Sequence, residues 1–352
     1  MGWGKRLAGA MRRRVAGRLD RLAGPWRRPW RRPFPPAATH ADIYHCFRLL
    51  LGRNPHREEW PGHAGMAGSP LPAVVGSYLN SLEFSRRGLL LPVAPAQVGL
   101  ATYPGFTIHA DADDPAVGRH VLAGRYEPEV AAAFRGLLRP GMGVIDIGAN
   151  IGIFALLAAS LVGREGFVLA FEPNPRNARL LEASRRRNGF AALHLVQAAA
   201  APETGLLALH RSHSTGTATP PAEALEALLA SETVAGLAPD LLVPAGRRID
   251  LIKVDVDGGE YLALRGCLAT IRRDRPAIVC EFVPGLLAGI SGIGPRAFLE
   301  WLGGLGYEVA VIAPDGGSVP LGQRWDEVLA AQRARGTDHI DLLATPRGAR
   351  AA

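Results

Sequence analysis

Cysteine is scarce in this chain of 352 residues: Cys46, Cys267 and Cys280 are the three, and no two stand in C-x-x-C spacing. That argues against a disulfide framework and a structural zinc site, and it fits a reduced, cytoplasmic compartment. Long apolar runs are missing too. The longest uncharged apolar stretch that reads as a helix runs from Ile151 to Gly163, thirteen residues. A bilayer span needs about 20, so no transmembrane helix is expected. Surplus basic charge is missing from the body of the chain, although the net charge is +8. Residues 1–36 hold eleven of the 40 Lys and Arg residues against one acid, Asp20, which leaves 29 basic and 31 acidic residues for the rest. A near-neutral body without an evident basic groove argues against nucleic acid as a partner.

What is present is a chain 48% hydrophobic and 20% charged, long enough for one large α/β domain with a smaller unit beside it. Residues 1–38 form a basic tail rich in Arg, Trp and Pro. Its arginines interrupt any apolar core, so it does not read as a secretory signal. The plain reading is a solvated, disordered extension. The alternative is adhesion to an anionic membrane surface, which would put the protein at the inner membrane face. Residues 40–92 read as a small helical module. Asp42 is placed to cap a helix bearing Ile43, Phe47, Leu50 and Leu51, and a second helix carries Val74, Val75, Tyr78, Leu79, Leu82 and Phe84 beyond a Gly/Pro-rich turn. Leu49–Pro55 and Tyr78–Phe84 resemble a bacterial helical domain of unknown function with a phycobilisome-linker-like pattern, which implies docking or spacing.

From about residue 103 to 345 strands alternate with helices. Strands are expected at 144–147, 167–171, 193–196, 249–254, 277–280, 309–312 and 340–344, with helices at 151–161, 175–187, near 258–270 and at 295–305. That alternation predicts a doubly wound, mainly parallel sheet of seven strands. Functional residues then gather at the carboxyl ends of the strands.

Three motifs sit at such ends. Asp146-Ile147-Gly148-Ala149-Asn150-Ile151-Gly152 joins a strand to a helix whose N-terminus is expected to offer free N–H groups. Its glycine spacing is not the G-x-G-x-x-G of a dinucleotide fingerprint, which weakens an NAD(P) reading. Phe171-Glu172-Pro173 ends the next strand, where a carboxylate can accept both ribose hydroxyls. Together these two motifs point to S-adenosyl-L-methionine. The third motif, Ile249 to Glu260, sets Lys253, Asp255, Asp257 and Glu260 around a strand end, with Glu281 at the corresponding end of the strand after it. Converging carboxylates are costly unless they bind a cation, meet a substrate or share protons. Glu260 reads equally well as a helix cap.

With Tyr126-Glu127-Pro128, Pro140-Gly141-Met142 and Arg275-Pro276 added, the motif set over residues 103–345 resembles the FkbM family of S-adenosylmethionine-dependent methyltransferases. The resemblance implies a class I, Rossmann-like methyltransferase fold. It also implies O-methylation of a hydroxyl on a sugar, glycan or secondary metabolite. By the same likeness Asp146, Gly148, Asn150 and Gly152 hold the methionine end of the cofactor and Glu172 the ribose. Gln197-Ala198, by position, would line the adenine pocket. Asp257 and Gly259 depart from the family pattern, which has Glu and a larger residue there. For the transfer itself the candidates are Asp255 as base, Glu281 assisting and Lys253 orienting Asp255, with His213 as an alternative base. Asp255, Asp257 and Glu281 are the ligand candidates should a divalent metal take part. His210 and His339 read as structural. RNA methylation is the competing enzymatic reading, and a non-catalytic docking protein the competing one outside enzymes.

Overall fold

The computed structural model describes residues 36–87, 97–212, 214–221 and 225–348. Most of the basic tail, and His213, lie outside the described residues. The chain divides into two compact units, Met1–Val93 and Ala94–Ala352. Among the described residues no helix is long and apolar enough to cross a membrane. The three cysteines are buried and unpaired.

In the first unit the opening helix, His40–Cys46, is capped by Thr39 rather than Asp42. Asp42 sits three residues in and answers the cap: its Oδ2 accepts from Thr39 N at 2.8 Å while Thr39 Oγ1 accepts from Asp42 N at 3.2 Å. Such a capping box satisfies two orphan donors at once. The helix runs on through a π-turn, Phe47–Leu51, and stops at Gly52 in a left-handed conformation. The second expected helix is two, Leu71–Leu79 and Leu82–Arg86, because Ser81 Oγ accepts from Phe84 N at 3.1 Å and restarts the chain. That break turns Leu82 outward, while Ile43, Phe47, Val74, Tyr78 and Phe84 make the core. A short helix, Trp60–Ala64, occupies the stretch that reads as a Gly/Pro turn. Residues 36–38 belong to this unit rather than to a tail: Ala38 N donates to Ser69 O, and Ala38 is buried.

The second unit starts earlier than residue 103, with a hairpin of β1 (Val98–Tyr103) and β2 (Phe106–Asp111). Its main sheet uses β3 (Gly143–Ile147), β4 (Phe167–Phe171), β5 (Leu193–Val196), β10 (Leu251–Val254), β11 (Ala277–Phe282), β12 (Tyr307–Ile312), β13 (Ser318–Gly322) and β14 (Ile340–Pro346). The order is β13-β12-β14-β11-β10-β3-β4-β5. All seven expected strands are there, with an eighth, β13. Its Pro320 and largely exposed residues hide it from a pattern search, and proline is tolerated on an edge strand. The five strands from β11 to β5 are parallel; β14, β12 and β13 pair antiparallel. β3 and β4 are buried at every residue, as strands covered on both faces must be. Helices Pro128–Leu137, Ile153–Val162 and Pro175–Asn188 cover one face, and Glu260–Arg265, Leu268–Asp274, Pro295–Gly304 and Trp325–Arg335 the other.

Residues 199–237 hold a further sheet that the sequence pattern did not reveal. It consists of β6 (Ala199–Ala200), β7 (Gly205–Ser212), β8 (Thr215–Thr219) and β9 (Thr233–Leu237), in the order β6-β9-β7-β8. The run Thr215-Gly-Thr-Ala-Thr219 has no apolar alternation, so nothing in its pattern marks a strand. In the main sheet the chain proceeds from β3 outward to β4 and β5 on one side, and β10 and β11 lie on the other. The switch point therefore falls between β3 and β10, where such sheets open a crevice at the carboxyl ends.

The two glycines in the turn after β3 are required by packing. A Cβ on Gly148, at φ +78, would lie 1.9 Å from the Asp255 carbonyl oxygen, and one on Gly152 would lie 2.2 Å from Leu181 Cδ1. By contrast Gly163, at φ +69, faces open space. Gly148→Ala should therefore cost at least about 3 kcal/mol in chemical denaturation and Gly163→Ala only about 1 kcal/mol. Equal losses would mean that β3 and β10 do not approach this closely.

Candidate functional site

The crevice is a cavity of about 550 Å³, within the range of roughly 300–1,000 Å³ common for small-molecule sites. Gly148, Asn150, Glu172, Lys253, Asp255, Asp257 and Glu281 all line it. These residues come from four separate segments, and the switch point brings them together. Its other wall comes from the inserted sheet, through Leu206, Leu207 and Leu209.

Three expectations need correction. Gln197 is exposed and lines a separate groove with Ala178 and Arg179, because period-two alternation puts it on the same face of β5 as Leu195. Ala199, Ala200 and Ala201 line the cavity in its place. Asp146 and Gly152 stand behind the cavity wall rather than on it. Asp146 is 0% exposed with neither carboxylate oxygen hydrogen-bonded. The N–H groups of the turn itself are used internally: Gly148 N and Ala149 N donate to Phe171 O, Asn150 N to Glu172 Oε2 at 2.7 Å, and Ile151 N to Asn150 Oδ1, while the helix that starts at Ile153 has no side-chain cap and its first residues, Ile153 and Phe154, line the cavity. Finally, no group of three or more His, Cys, Asp or Glu among the described residues could hold a metal ion, so Asp255, Asp257 and Glu281 share a cavity without forming a metal cage.

Glu172 is correspondingly busy. Besides Asn150 N, it accepts from Asn174 N at 2.8 Å and Asn177 Nδ2 at 3.4 Å. Burial still pushes its pKa up to about 7, against the pull of those donors. Burial likewise moves Asp146 up to about 6, with the Lys253 charge opposing. Glu260 does not cap the helix it begins, whose N-cap is Gly259 without a side-chain bond; its Oε1 instead braces the preceding turn by accepting from Val256 N and Gly258 N, and burial raises its pKa to about 7.

The electrostatic centre is Lys253, one of only two lysines in the chain. It is 4% exposed, with Nζ 2.7 Å from Asp255 Oδ2 and 4.8 Å from the centroid of the Phe154 ring. Burial alone would lower its pKa, but Asp255, Asp146 and Glu127 together hold it above the ordinary lysine value. Register sets Lys253 beside Asp146 across the β10–β3 pair. Around this ammonium stand carboxyls pushed toward their neutral forms. Glu281 is raised by burial and by Asp255 and Asp257, and Asp257 by burial and Asp255.

Sequence reasoning gave no role to Glu127, although Tyr126-Glu127-Pro128 was conspicuous. Glu127 lines the cavity in a left-handed conformation, φ +41, and burial and Asp255 raise its pKa. The only signal in the sequence was an acid between an aromatic residue and a proline, Tyr126-Glu127-Pro128. His339 lies outside the cavity lining, with Nδ1 bonded to Asp338 Oδ1 and Nε2 4.0 Å from Glu281 Oε1. His210 bonds Thr219 Oγ1 on the inserted sheet.

Residues 146–309 match the family model described as the methyltransferase FkbM domain. The matched span takes in every acid-ended strand of the cavity, from Asp146 through Glu172 and Asp255 to Glu281. No curated protein matches the sequence. Among solved structures the chain is similar to methyltransferase FkbM from Methylobacillus flagellatus KT, at 15% identity and a TM-score of 0.38, covering 87% of this chain and 60% of that one. It is similar to Aeropyrum pernix fibrillarin in complex with S-adenosyl-L-methionine, at 14% identity and a TM-score of 0.37, covering 73% of this chain and 86% of that one. Precorrin-6y C5,15-methyltransferase from Geobacter metallireducens is similar at 14% identity and a TM-score of 0.35, with 68% and 94% covered.

Buried carboxyls make stability depend on pH. Asp146, Glu172 and Glu260 have folded pKa values of about 6, 7 and 7, above the value of about 4 they take when unfolded. The unfolded chain thus sheds these protons first, so their contribution is complete below pH about 4 and is lost as pH rises through about 7. The melting temperature of the ligand-free protein should fall between pH 5 and pH 8, and Glu172→Gln should flatten the fall. A melting temperature that rises across that window would contradict the burial of these groups.

Proposed function

We propose that this chain is an S-adenosylmethionine-dependent O-methyltransferase whose acceptor is a hydroxyl on a sugar, glycan or secondary metabolite. The observation that carries the reading is the cavity at the β3/β10 switch point, walled by acid-ended strands around one buried ammonium, inside the stretch that matches the methyltransferase FkbM domain.

The residues present fit the cofactor. A carboxylate-lined wall favours a ligand that carries positive charge, as a sulfonium and an α-ammonium do. Glu172 Oε2, with one donor, keeps an acceptor site for a ribose hydroxyl, and Ala199 to Ala201 leave a flat slot for a ring. Bound S-adenosylmethionine supplies an electrophilic methyl group. The chain must then align an acceptor oxygen with that methyl and take up the hydroxyl proton. Asp255 is the group for the proton: Lys253 holds its Oδ2 at 2.7 Å and Glu281 hydrogen-bonds the same carboxylate, which fixes it at the cavity wall. Glu281 and Glu127, whose pKa values are raised by burial and by the Asp255 charge, line the same wall and are placed to hydrogen-bond the acceptor. Leu206, Leu207 and Leu209 exclude water from the opposite side.

Calorimetric titration with S-adenosylhomocysteine, with NAD as control, tests the cofactor assignment: binding of the former alone is expected, and binding of neither would overturn it. Asp255→Asn should bind S-adenosylhomocysteine as the native protein does, yet lose about 10²–10⁴-fold in methyl transfer to an accepted hydroxyl compound. Undiminished transfer would remove Asp255 from the chemistry.

A further inference from the structure

Three asparagines stand around the cofactor end of the cavity, and their side-chain amides are used differently. Asn150 Nδ2 and Asn177 Nδ2 both donate to Ser214 O, at 3.1 and 2.7 Å. Asn174 has the other arrangement. It is 4% exposed and lines the cavity, yet its Nδ2 is buried with no hydrogen-bond partner among the described residues. The orientation of the amide is fixed, because Asn174 Oδ1 accepts from Arg176 N at 3.0 Å at the start of the fourteen-residue helix Pro175–Asn188. Its backbone N–H, donating to Glu172 Oε1 at 2.8 Å, ties it to the carboxylate that ends β4.

A buried donor without a partner costs free energy. Nothing in the helix cap requires that cost, since Ser or Asp caps a helix as well as Asn and carries no amide. The amide is therefore explained by an acceptor that arrives with the ligand. Glu172 beside it is anionic when ionised and would repel an ionised carboxylate, so the acceptor is a neutral atom: a ribose hydroxyl oxygen or a ring nitrogen rather than the amino-acid end. We infer that Asn174 is a cofactor-reading residue, with its Nδ2–H donating to the nucleoside part of the bound ligand while Glu172 accepts from the same part. This inference rests on the S-adenosylmethionine reading of the cavity.

The test uses the full chain and two probes, S-adenosylhomocysteine and 5′-methylthioadenosine, which shares the nucleoside and lacks the amino acid. Asn174→Ser keeps a capping oxygen and removes the amide donor. It should bind both probes about tenfold more weakly without lowering the melting temperature of the ligand-free protein. Asn174→Asp, which also caps and cannot donate, should show at least the same loss. Equal affinity of the native protein and both variants would overturn the inference and leave the cofactor reading standing. So would a loss confined to S-adenosylhomocysteine, or a lowered melting temperature with unchanged affinity. Failure of the native protein to bind either probe would overturn both.

Discussion

The buried ammonium of Lys253 is the charge around which the cavity is organised. Asp146, Asp255 and Glu127 all act on it, and Glu281 and Asp257 press on Asp255 in turn. The ammonium opposes the rise in pKa that burial and mutual repulsion impose on Asp146, Glu127 and Glu281, and so offsets part of the cost of converging acid-ended strands on one crevice. The pair Lys253–Asp255 is i, i+2 along one chain, and the β10–β3 register supplies Asp146 from the side. In a chain with 38 arginines, the choice of lysine has a physical reason. A compact ammonium fits above the Phe154 ring with one oxygen in reach, where a planar guanidinium would demand a wider fork.

Backbone proximity does the complementary work. Gly148 lets the β3 turn lie against the Asp255 carbonyl, so the two strand ends that carry the site are held at contact distance. The turn then spends its N–H groups internally, on Phe171 O and on Glu172. Glu172 is both a brace for the turn and part of the cavity wall, which couples the geometry of the turn to whatever Glu172 contacts.

Much of this was legible in the sequence, and the exceptions have identifiable causes. The expected strands β3, β4 and β10 are apolar runs buried at every residue, and Asp146, Glu172 and Asp255 stand out against those runs. β13 was hidden by Pro320 and exposure, and β6 to β9 by runs of Ala, Thr and Gly that lack period-two contrast. Thr39 rather than Asp42 caps the first helix, since the two share one reciprocal motif and the pattern does not say which comes first. Gly148 and Gly152 looked like ligand-approach glycines, whereas their neighbours are Asp255 O and Leu181, contacts between residues far apart in sequence. Gln197 was misplaced by two residues, enough to put the small-residue slot at Ala199 to Ala201. Glu127 went without a role because its partners, Asp255 and Lys253, lie more than a hundred residues further along the chain.

The central claim is electrostatic: carboxyls held neutral by burial and mutual repulsion face a ligand whose sulfonium is positive. Calorimetry at pH 7 in two buffers of different ionisation enthalpy measures the protons released when the native protein binds S-adenosylmethionine and, separately, S-adenosylhomocysteine, which lacks the sulfonium charge. A positive charge entering the cavity should drive protons off Glu127 and Glu281, so more protons should be released with S-adenosylmethionine than with its uncharged thioether. Equal proton release for the two ligands would contradict a carboxyl-lined site built around the Lys253 ammonium and the cofactor's charge.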